Sequence, residues 1–537
     1  MNMRTRTDVL LLVAFCGFLF FYGLGSFGLV GADEPRYAQV AREMLDRHDW
    51  ITPTLQGKPW LEKPVLYYWQ AMLSYSLFGV SDRAARIPAA VDAALLIAAI
   101  YLFLRRFRPG SEIDGALITA GCVGIIGFAR GASTDMPLAA TLAIAMLAWF
   151  AWYEGKNRLA LAAFYFFLAL AASAKGPVAL FLAVAVVLIF AAIKREWRSI
   201  LDTLWIPGIA LFLAVMLPWY VLVQLHNPEF FRVFILEHNF GRFGHDLYHH
   251  RQPFWFYIPV LLVALMPWTL WLILAMVERA RLIWSEKREA WTTPEDSWQL
   301  FLLIWLLIPV LFFSASQSKL PGYILPATPA GALLVSEYIR GRRGADATTP
   351  KWIAATHGAL CGLLVFAAMS APVLQISHGL SAGRWTYIAC GAGVIAMLAI
   401  AVSLARMGLR ILRPATMAAV VISVAAILRL ASPTIDAAQS ARPIAQNILS
   451  FSHEAVPVAL YHVTRQQEYG LEFYLDRPTA RYENGEVPNE AHVLVAVQNS
   501  LPQFRELVRE RRVSFLTSIP AQKLELYWVE KGNAVSD

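Results

Sequence analysis

The stretch VLLLVAFCGFLFFYGLGSFGLV-GADEPRY, residues 9–37, decides how the rest of the chain is read. Val9–Val30 carries no charge, and a spanning helix needs about 20 mainly apolar residues, so the stretch reads as a membrane span. Arg4 and Arg6 ahead of it give a signal-anchor pattern rather than a cleavable signal. Directly behind it stand Asp33, Glu34 and Arg36, and ionisable groups at the point where a span leaves the membrane are functional candidates.

Composition extends that reading to the whole chain. Of 537 residues, 58% are hydrophobic and 16% charged, with a mean hydropathy of +0.50. Soluble proteins carry about 45–50% apolar and about 25% charged residues. An ordinary soluble enzyme, a disordered chain and a small secreted scaffold are thereby excluded. The net charge of +8 fits Lys- and Arg-rich cytoplasmic loops better than nucleic acid, and none is expected as a partner. Cys16, Cys122, Cys361 and Cys390 lie in apolar runs without metal-like spacing.

About thirteen spans are predicted: Val9–Val30, Ala84–Leu104, Gly115–Phe128, Met136–Trp152, Leu159–Ala174, Pro177–Ile193, Leu204–Leu225, Phe254–Val277, Trp298–Phe313, Pro321–Ile339, Trp352–Leu374, Trp385–Ala405 and Pro414–Leu430. With the N-terminus inside, alternate loops collect Arg105/Arg106/Arg108, Lys156/Arg158, Lys194/Arg195/Arg198, Arg279/Arg281, Arg340/Arg342/Arg343 and Arg406/Arg410/Arg413 on one side. The positive-inside bias therefore predicts a cytoplasmic N-terminus and an outer tail. Residues 1–431 form the predicted membrane domain and 432–537 a small outer α/β domain. In the latter, Pro457–Val463, Leu471–Leu475, His492–Val497 and Leu524–Val529 alternate, with an amphipathic helix at Gln503–Arg512.

The first outer loop, 31–83, breaks the charge bias with Arg36, Arg42, Arg47, Lys58, Lys63 and Arg83. Tyr37, Val40, Ala41, Met44 and Leu45 recur there at helical spacing, with Arg36, Gln39, Glu43 and Arg47 opposite, which predicts an interfacial helix. Pro64 opens a second helix, Val65–Phe78. Other outer loops hold Arg130 to Asp135, Lys175, Lys319 to Tyr323, and a longer flexible loop, 226–253, with Arg242, His245, Asp246, His249, His250 and Arg251. Such a basic, Tyr-rich outer surface suits an anionic lipid, with phosphate for Arg and Lys and an apolar groove for its tail. The bland alternative is a set of amphipathic linkers whose cations pair with headgroups.

At these residues the sequence resembles the lipid A aminoarabinose transferases, and more widely the polyprenyl-phosphate-dependent glycosyltransferases of the C-type superfamily. The pieces that carry the resemblance are Asp33-Glu34-Pro35-Arg36-Tyr37-Ala38, Leu61-Glu62-Lys63-Pro64, Tyr67-Tyr68-Trp69, Thr134-Asp135-Met136-Pro137 and Ala174-Lys175-Gly176-Pro177. They continue with Glu237 to Phe243, His250-Arg251-Gln252-Pro253 and Lys319 to Pro326, in order over the first two-thirds of the chain. The resemblance implies a C-type glycosyltransferase fold: an all-α polytopic membrane protein with interfacial helices in the first outer loop, plus the small outer α/β domain. It implies transfer of a sugar, 4-amino-4-deoxy-L-arabinose, from undecaprenyl phosphate to lipid A at the periplasmic face of a bacterial inner membrane, by a monomer among membrane lipids. Resistance to polymyxin and other cationic antimicrobial peptides would follow.

The same resemblance makes Asp33 the principal catalytic carboxylate and Asp135 a second functional acid. It makes Lys63 and Arg251 ligands of the lipid phosphate, assisted by Arg36 and Tyr323. Glu34, Tyr37, Tyr67, Lys175, Arg242 and Lys319 are supporting candidates. No cofactor is required. Relatives can hold zinc at the outer face, and His245, His249, His250, Asp246 and Glu472 offer ligand types for such a metal, against the simpler reading of solvated histidines in a loop. The rival within the class is the same donor with another sugar (hexosamine, uronic acid or mannose) or another acceptor, in lipid A, core sugar or protein. The rival from another class is a lipid transporter or flippase, which should place ionisable groups near the bilayer midplane and show repeats. An inactive lipid-binding module is the third.

Overall fold

The apolar periodicity becomes a helical bundle with a small sheet domain at its end. The computed structural model describes residues 3–241, 252–286, 294–344, 350–373, 384–451, 456–508 and 510–531. Among these, nine helices are long and apolar enough to cross a membrane, and eleven if each of two bent pairs counts as one span. Several are barely buried within the protein: only 11% of the apolar window in Thr386–Met407 and 22% of that in Ile206–His226 is covered. Apolar helices left this bare belong in lipid.

Four expected spans are corrected. The first is helical from Met3–Cys16, continues as a π turn at Gly17–Phe21, and then unwinds, so that 22–30 is not part of it. Gly115–Phe128 is two helices, Glu112–Ala120 and Val123–Ala129, meeting at 64°. Phe254–Val277 is likewise broken between Ala264 and Thr269, with a 119° bend, where Pro267 has no N–H to continue the ladder. The two breaks serve each other: the Val123 N–H freed by one donates to the Met266 carbonyl of the other at 3.0 Å. Gly124 permits that approach, since a Cβ there would stand 2.8 Å from the Ala264 Cβ. In the fourth, Pro321–Ile339 begins with a 3-10 segment, Pro321–Ala327, before the helix Thr328–Gly344. The loop expected over 226–253 is partly helical, as a π helix at Phe231–Gly241.

The interfacial helix forms as Asp33–Asp46, with both acids in its first turn, where the helix dipole favours them. Tyr37, Val40, Ala41 and Met44 are buried together against Tyr67, Tyr68, Ala71 and Met72 of the second helix, Leu66–Phe78. Its polar face is not all solvated, however: Gln39 is buried. Strands β1 (Thr54–Leu55) and β2 (Lys58–Pro59) pair as a hairpin whose turn, Gln56–Gly57, has positive φ at both positions. Glu43 fixes that turn, accepting from the Gln56 N–H at 2.8 Å and the Gly57 N–H at 3.1 Å.

The last membrane helix and its continuation run Leu412–Gln439. Beyond it, β3 (Val458–Tyr461), β4 (Ala480–Arg481), β5 (His492–Val497), β6 (Val513–Ile519) and β7 (Leu524–Val529) form one sheet in the order β4-β3-β5-β7-β6. Strands β4 and β5 lie parallel to β3, and β7 lies antiparallel to β5 and β6. Two expectations are corrected here. Leu471–Leu475 ends a helix, Arg465–Leu475, started by a reciprocal cap between Thr464 and Gln467. The helix expected at Gln503–Arg512 is the shorter Leu501–Arg505 followed by a 3-10 turn at Glu506–Val508.

Candidate active site

Asp33 is delivered by a segment that has left its helix and must satisfy its carbonyls elsewhere. Three arginines supply the donors. Arg130 reaches the carbonyls of Leu19, Tyr22 and Gly23 at 2.9–3.0 Å. Arg86 reaches those of Leu24, Phe27 and Gly28 at 2.7–2.9 Å, and Arg442 reaches Gly25 at 3.2 Å. Burial, with Arg86 nearby, pulls Arg130 down to about 10, which leaves it charged at neutral pH.

Glu34 closes this floor. Its carboxylate takes Arg86 Nη2 at 2.7 Å and Nε at 3.2 Å, and the backbone N–H groups of Val30 and Ala132 at 2.8 Å each. The pair is almost wholly buried and every one of its polar atoms is used. From the far end of the chain, Asp436 accepts the Gly28 N–H at 2.7 Å and the Tyr474 hydroxyl accepts the Leu29 N–H at 2.7 Å. Tyr474 in turn donates to Asp82 at 2.5 Å.

Above the floor lies a half-open mouth. Asp33 pairs with Arg36, and its own side chain is 55% exposed. The Arg36 guanidinium lies over the rings of Tyr37 (5.1 Å), Trp60 (5.0 Å) and Tyr469 (5.8 Å). Burial works against its charge, but Tyr37, Asp33 and Glu62 outweigh that and hold its pKa above the ordinary value. Asp135 begins the helix Asp135–Gly155 as Asp33 begins its own, each with a proline two residues on. It pairs with Lys175, the last residue of the helix Arg158–Lys175, whose ammonium stands 4.6 Å from the Tyr323 ring centre. Gly176 has φ +82° and a Cβ there would lie 2.5 Å from Phe234, so the turn after Lys175 requires glycine. Tyr37 joins the two acids: burial first, then the charges of Asp33 and Asp135 among others, push its hydroxyl well above the usual value. Its ring lies 6.3 Å from those of Tyr67 and Tyr68.

The remaining candidates are placed as follows. Lys63 is half-buried in the same loop as Glu62, whose carboxylate lies 3.7 Å from His238. Tyr67 donates to the Ala85 carbonyl at 2.9 Å. Lys319 is buried and donates to the Ser316 carbonyl. Arg242, His245, Asp246, His249, His250 and Arg251 lie outside the described residues. Glu472 is buried in the C-terminal domain, where Gln56 and Thr479 donate to one of its oxygens. Among the described residues no group of three or more His, Cys, Asp or Glu could hold a metal ion. Sequence reasoning placed Arg130 in a loaded outer loop without giving it a role, and missed Arg86, Trp60, Tyr469, Tyr474 and Arg442. A signal existed for Arg86, an arginine just inside an apolar run; for Tyr474 and Arg442 there was none.

Comparison with known proteins gives the family and the fold. Residues 62–221 match the family model described as dolichyl-phosphate-mannose-protein mannosyltransferase. An undecaprenyl phosphate-alpha-4-amino-4-deoxy-L-arabinose arabinosyl transferase of Pseudomonas aeruginosa is 34% identical over 339 residues, 62% of this chain and 59% of that protein. The chain thus matches less than two thirds of the length of the Pseudomonas relatives. The transferase of the same description from Serratia proteamaculans is 31% identical over 392 residues, 71% of this chain and 68% of its own length. The crystal structure of ArnT from Cupriavidus metallidurans bound to undecaprenyl phosphate superposes with a TM-score of 0.75 at 20% identity, covering 97% of each chain, and so shares the fold. With 31% identity over 68% of the Serratia protein's length, the chain belongs to the undecaprenyl phosphate-alpha-4-amino-4-deoxy-L-arabinose arabinosyl transferase family.

Proposed function

We propose that this chain transfers 4-amino-4-deoxy-L-arabinose from undecaprenyl phosphate to a phosphate of lipid A at the outer face of the bacterial inner membrane. The observation that carries the reading is the mouth itself: Asp33–Arg36 at the start of the interfacial helix and Asp135–Lys175 at the ends of two membrane helices, with the charges of both acids felt at Tyr37. On this reading the N-terminus is cytoplasmic, residues 1–431 are the transferase body and residues 432–537 an outer domain.

In the reaction the bond between the sugar C1 and the donor phosphate oxygen breaks, and an acceptor oxygen bonds to C1. The electron pair of the broken bond leaves with undecaprenyl phosphate, so negative charge grows on that phosphate. Cations fixed beforehand stabilise it preferentially in the transition state. On this reading Lys63, Arg251 and Arg36 take that role, assisted by Tyr323. Asp33 orients the acceptor and balances positive charge developing on C1. A phosphate acceptor is already anionic at neutral pH, so it needs little help from a general base; a hydroxyl acceptor would need Asp33 as that base. Asp135 holds Lys175 in place over Tyr323.

The test is transfer by the purified protein from undecaprenyl-phosphate-linked aminoarabinose to lipid A, read by mass spectrometry. A product heavier by one aminoarabinose residue is expected. No product, or transfer only of another sugar or to another acceptor, would overturn the assignment.

A further inference from the structure

A second polar site lies along the interfacial helix, away from its Asp33 end. Where the helix Asp33–Asp46 meets the hairpin and the C-terminal domain there is a cavity of about 230 Å³, lined by Gln39, Glu43, Gln56, Glu472, Arg477 and Pro478 among others. Its walls are firmly built. Glu43 grips the hairpin turn, Arg42 donates to the Phe473 carbonyl at 3.0 Å and pairs with Asp476 at 2.5 Å, and Gln56 reaches across to Glu472.

Within this well-bonded frame the lining residues leave polar atoms unmatched. Glu472 is 1% exposed, yet its Oε2 has no hydrogen-bond partner among the described residues. The same holds for Gln39 Oε1 and for Arg477 Nε and Nη1. Leaving a buried polar group unmatched costs about 1–3 kcal/mol, more for a charged one. Two acceptors and two donors of one guanidinium thus belong to residues that line one cavity, and together they match one ligand with hydroxyl or amino donors and an anionic or ether acceptor. A pyranose ring bearing phosphate has that pattern and comparable dimensions. A divalent cation does not, because Arg477 opposes it.

We propose that this cavity is an acceptor subsite, which holds a phosphorylated saccharide ring of the glycolipid that receives the sugar. The inference rests on the proposed transferase reading and adds where the acceptor headgroup sits. Gln39 is six residues from Asp33, roughly 9 Å along a helix at 1.5 Å per residue and about 120° around it. A disaccharide headgroup covers that axial distance, and its far end meets Asp33 by curving around the helix. In this arrangement Arg477 receives the phosphate, and Glu472 and Gln39 accept from ring hydroxyls.

The probe is the bisphosphorylated glucosamine disaccharide left when lipid A is deacylated, titrated calorimetrically into the full-length protein in detergent. Wild type should bind it, and Arg477→Gln and Gln39→Leu should each weaken binding about tenfold, as loss of a charge-assisted or buried hydrogen bond implies. Both variants should also raise KM for lipid A while leaving KM for the undecaprenyl donor unchanged. Absence of binding by wild type, or equal binding by both folded variants, overturns the subsite. Failure of wild type to transfer to lipid A while these binding differences persist would instead overturn the transferase reading.

Discussion

The floor of the candidate site and its mouth are built from the same materials, arginine against carboxylate, and differ in how completely the charges are matched. On the floor, Glu34 and Arg86 use every polar atom they have, on each other and on five backbone groups, and Glu34 is 10% exposed. At the mouth, Asp33 is 55% and Asp135 19% exposed, and among the described residues each pairs with one cation. A saturated buried network is scaffold, since any change leaves a charge stranded. A half-open pair has bonding capacity to spare for a ligand. Asp33 and Glu34, adjacent in sequence and about 100° apart around the helix, therefore have separate tasks.

The largest expected effect breaks the floor. Arg86→Ala strands the Glu34 charge and three carbonyls, and should cost about 3–5 kcal/mol of stability. Thermal unfolding of the detergent-purified variant measures this; a Tm equal to wild type would mean that floor and mouth do not differ as described. Glu34→Gln belongs with the same floor and should also destabilise.

Asp33→Asn sharpens the comparison from the other side. Asp33 is the exposed member of its pair, and Arg36 keeps Glu62 and three rings around it, so stability should change by about 1 kcal/mol, while sugar transfer should fall by about 10²–10⁴. Full transfer by a folded Asp33→Asn protein would reduce Asp33 to a favourable charge at a helix start. The helix has no side-chain cap of its own there, Ala32 being the capping residue, so capping gives Asp33 no independent reason to be acidic.

The smallest effect concerns Glu472, buried like Glu34 but without an arginine partner. Burial outweighs the bonds from Gln56 and Thr479 and pushes its carboxyl from 4.5 up to about 7. The protonated form fits the folded state, so this stabilisation is complete below pH 4.5 and is lost as pH rises through 7. Glu472→Gln is neutral throughout. It should match wild type at low pH and exceed it by up to ~3 kcal/mol above pH 8. Parallel unfolding curves at all pH values would show that Glu472 is matched after all.

Local physics was legible in the sequence, and long-range closure was not. The spacing of Tyr37, Val40, Ala41 and Met44 gives the buried face of the interfacial helix correctly, and His492–Val497 and Leu524–Val529 are strands as alternation predicts. Gln39 lies on the polar face, yet a helix more than 400 residues away covers it, and no local period encodes that. Leu471–Leu475 reads as strand by its apolar residues, but the Thr464–Gln467 cap upstream decides for helix. Hydropathy extends the first span to Val30 because it counts apolar residues and cannot see that Arg86, Arg130 and Arg442 draw the backbone carbonyls of 19–28 out of the helix.

The Tyr474–Leu29 hydrogen bond joins residues 445 positions apart, and that separation is also an interval of time. At about 5–20 residues per second, synthesis reaches Tyr474 roughly 20–90 s after Leu29. During that interval the segment leading to Asp33 lacks Asp436, Arg442 and Tyr474, and the interfacial helix lacks its cover. A chain released before its last hundred residues would carry both acids and the Glu34, Arg86 and Arg130 contacts that link their segments, but neither Arg442 nor Tyr474 to close the first segment.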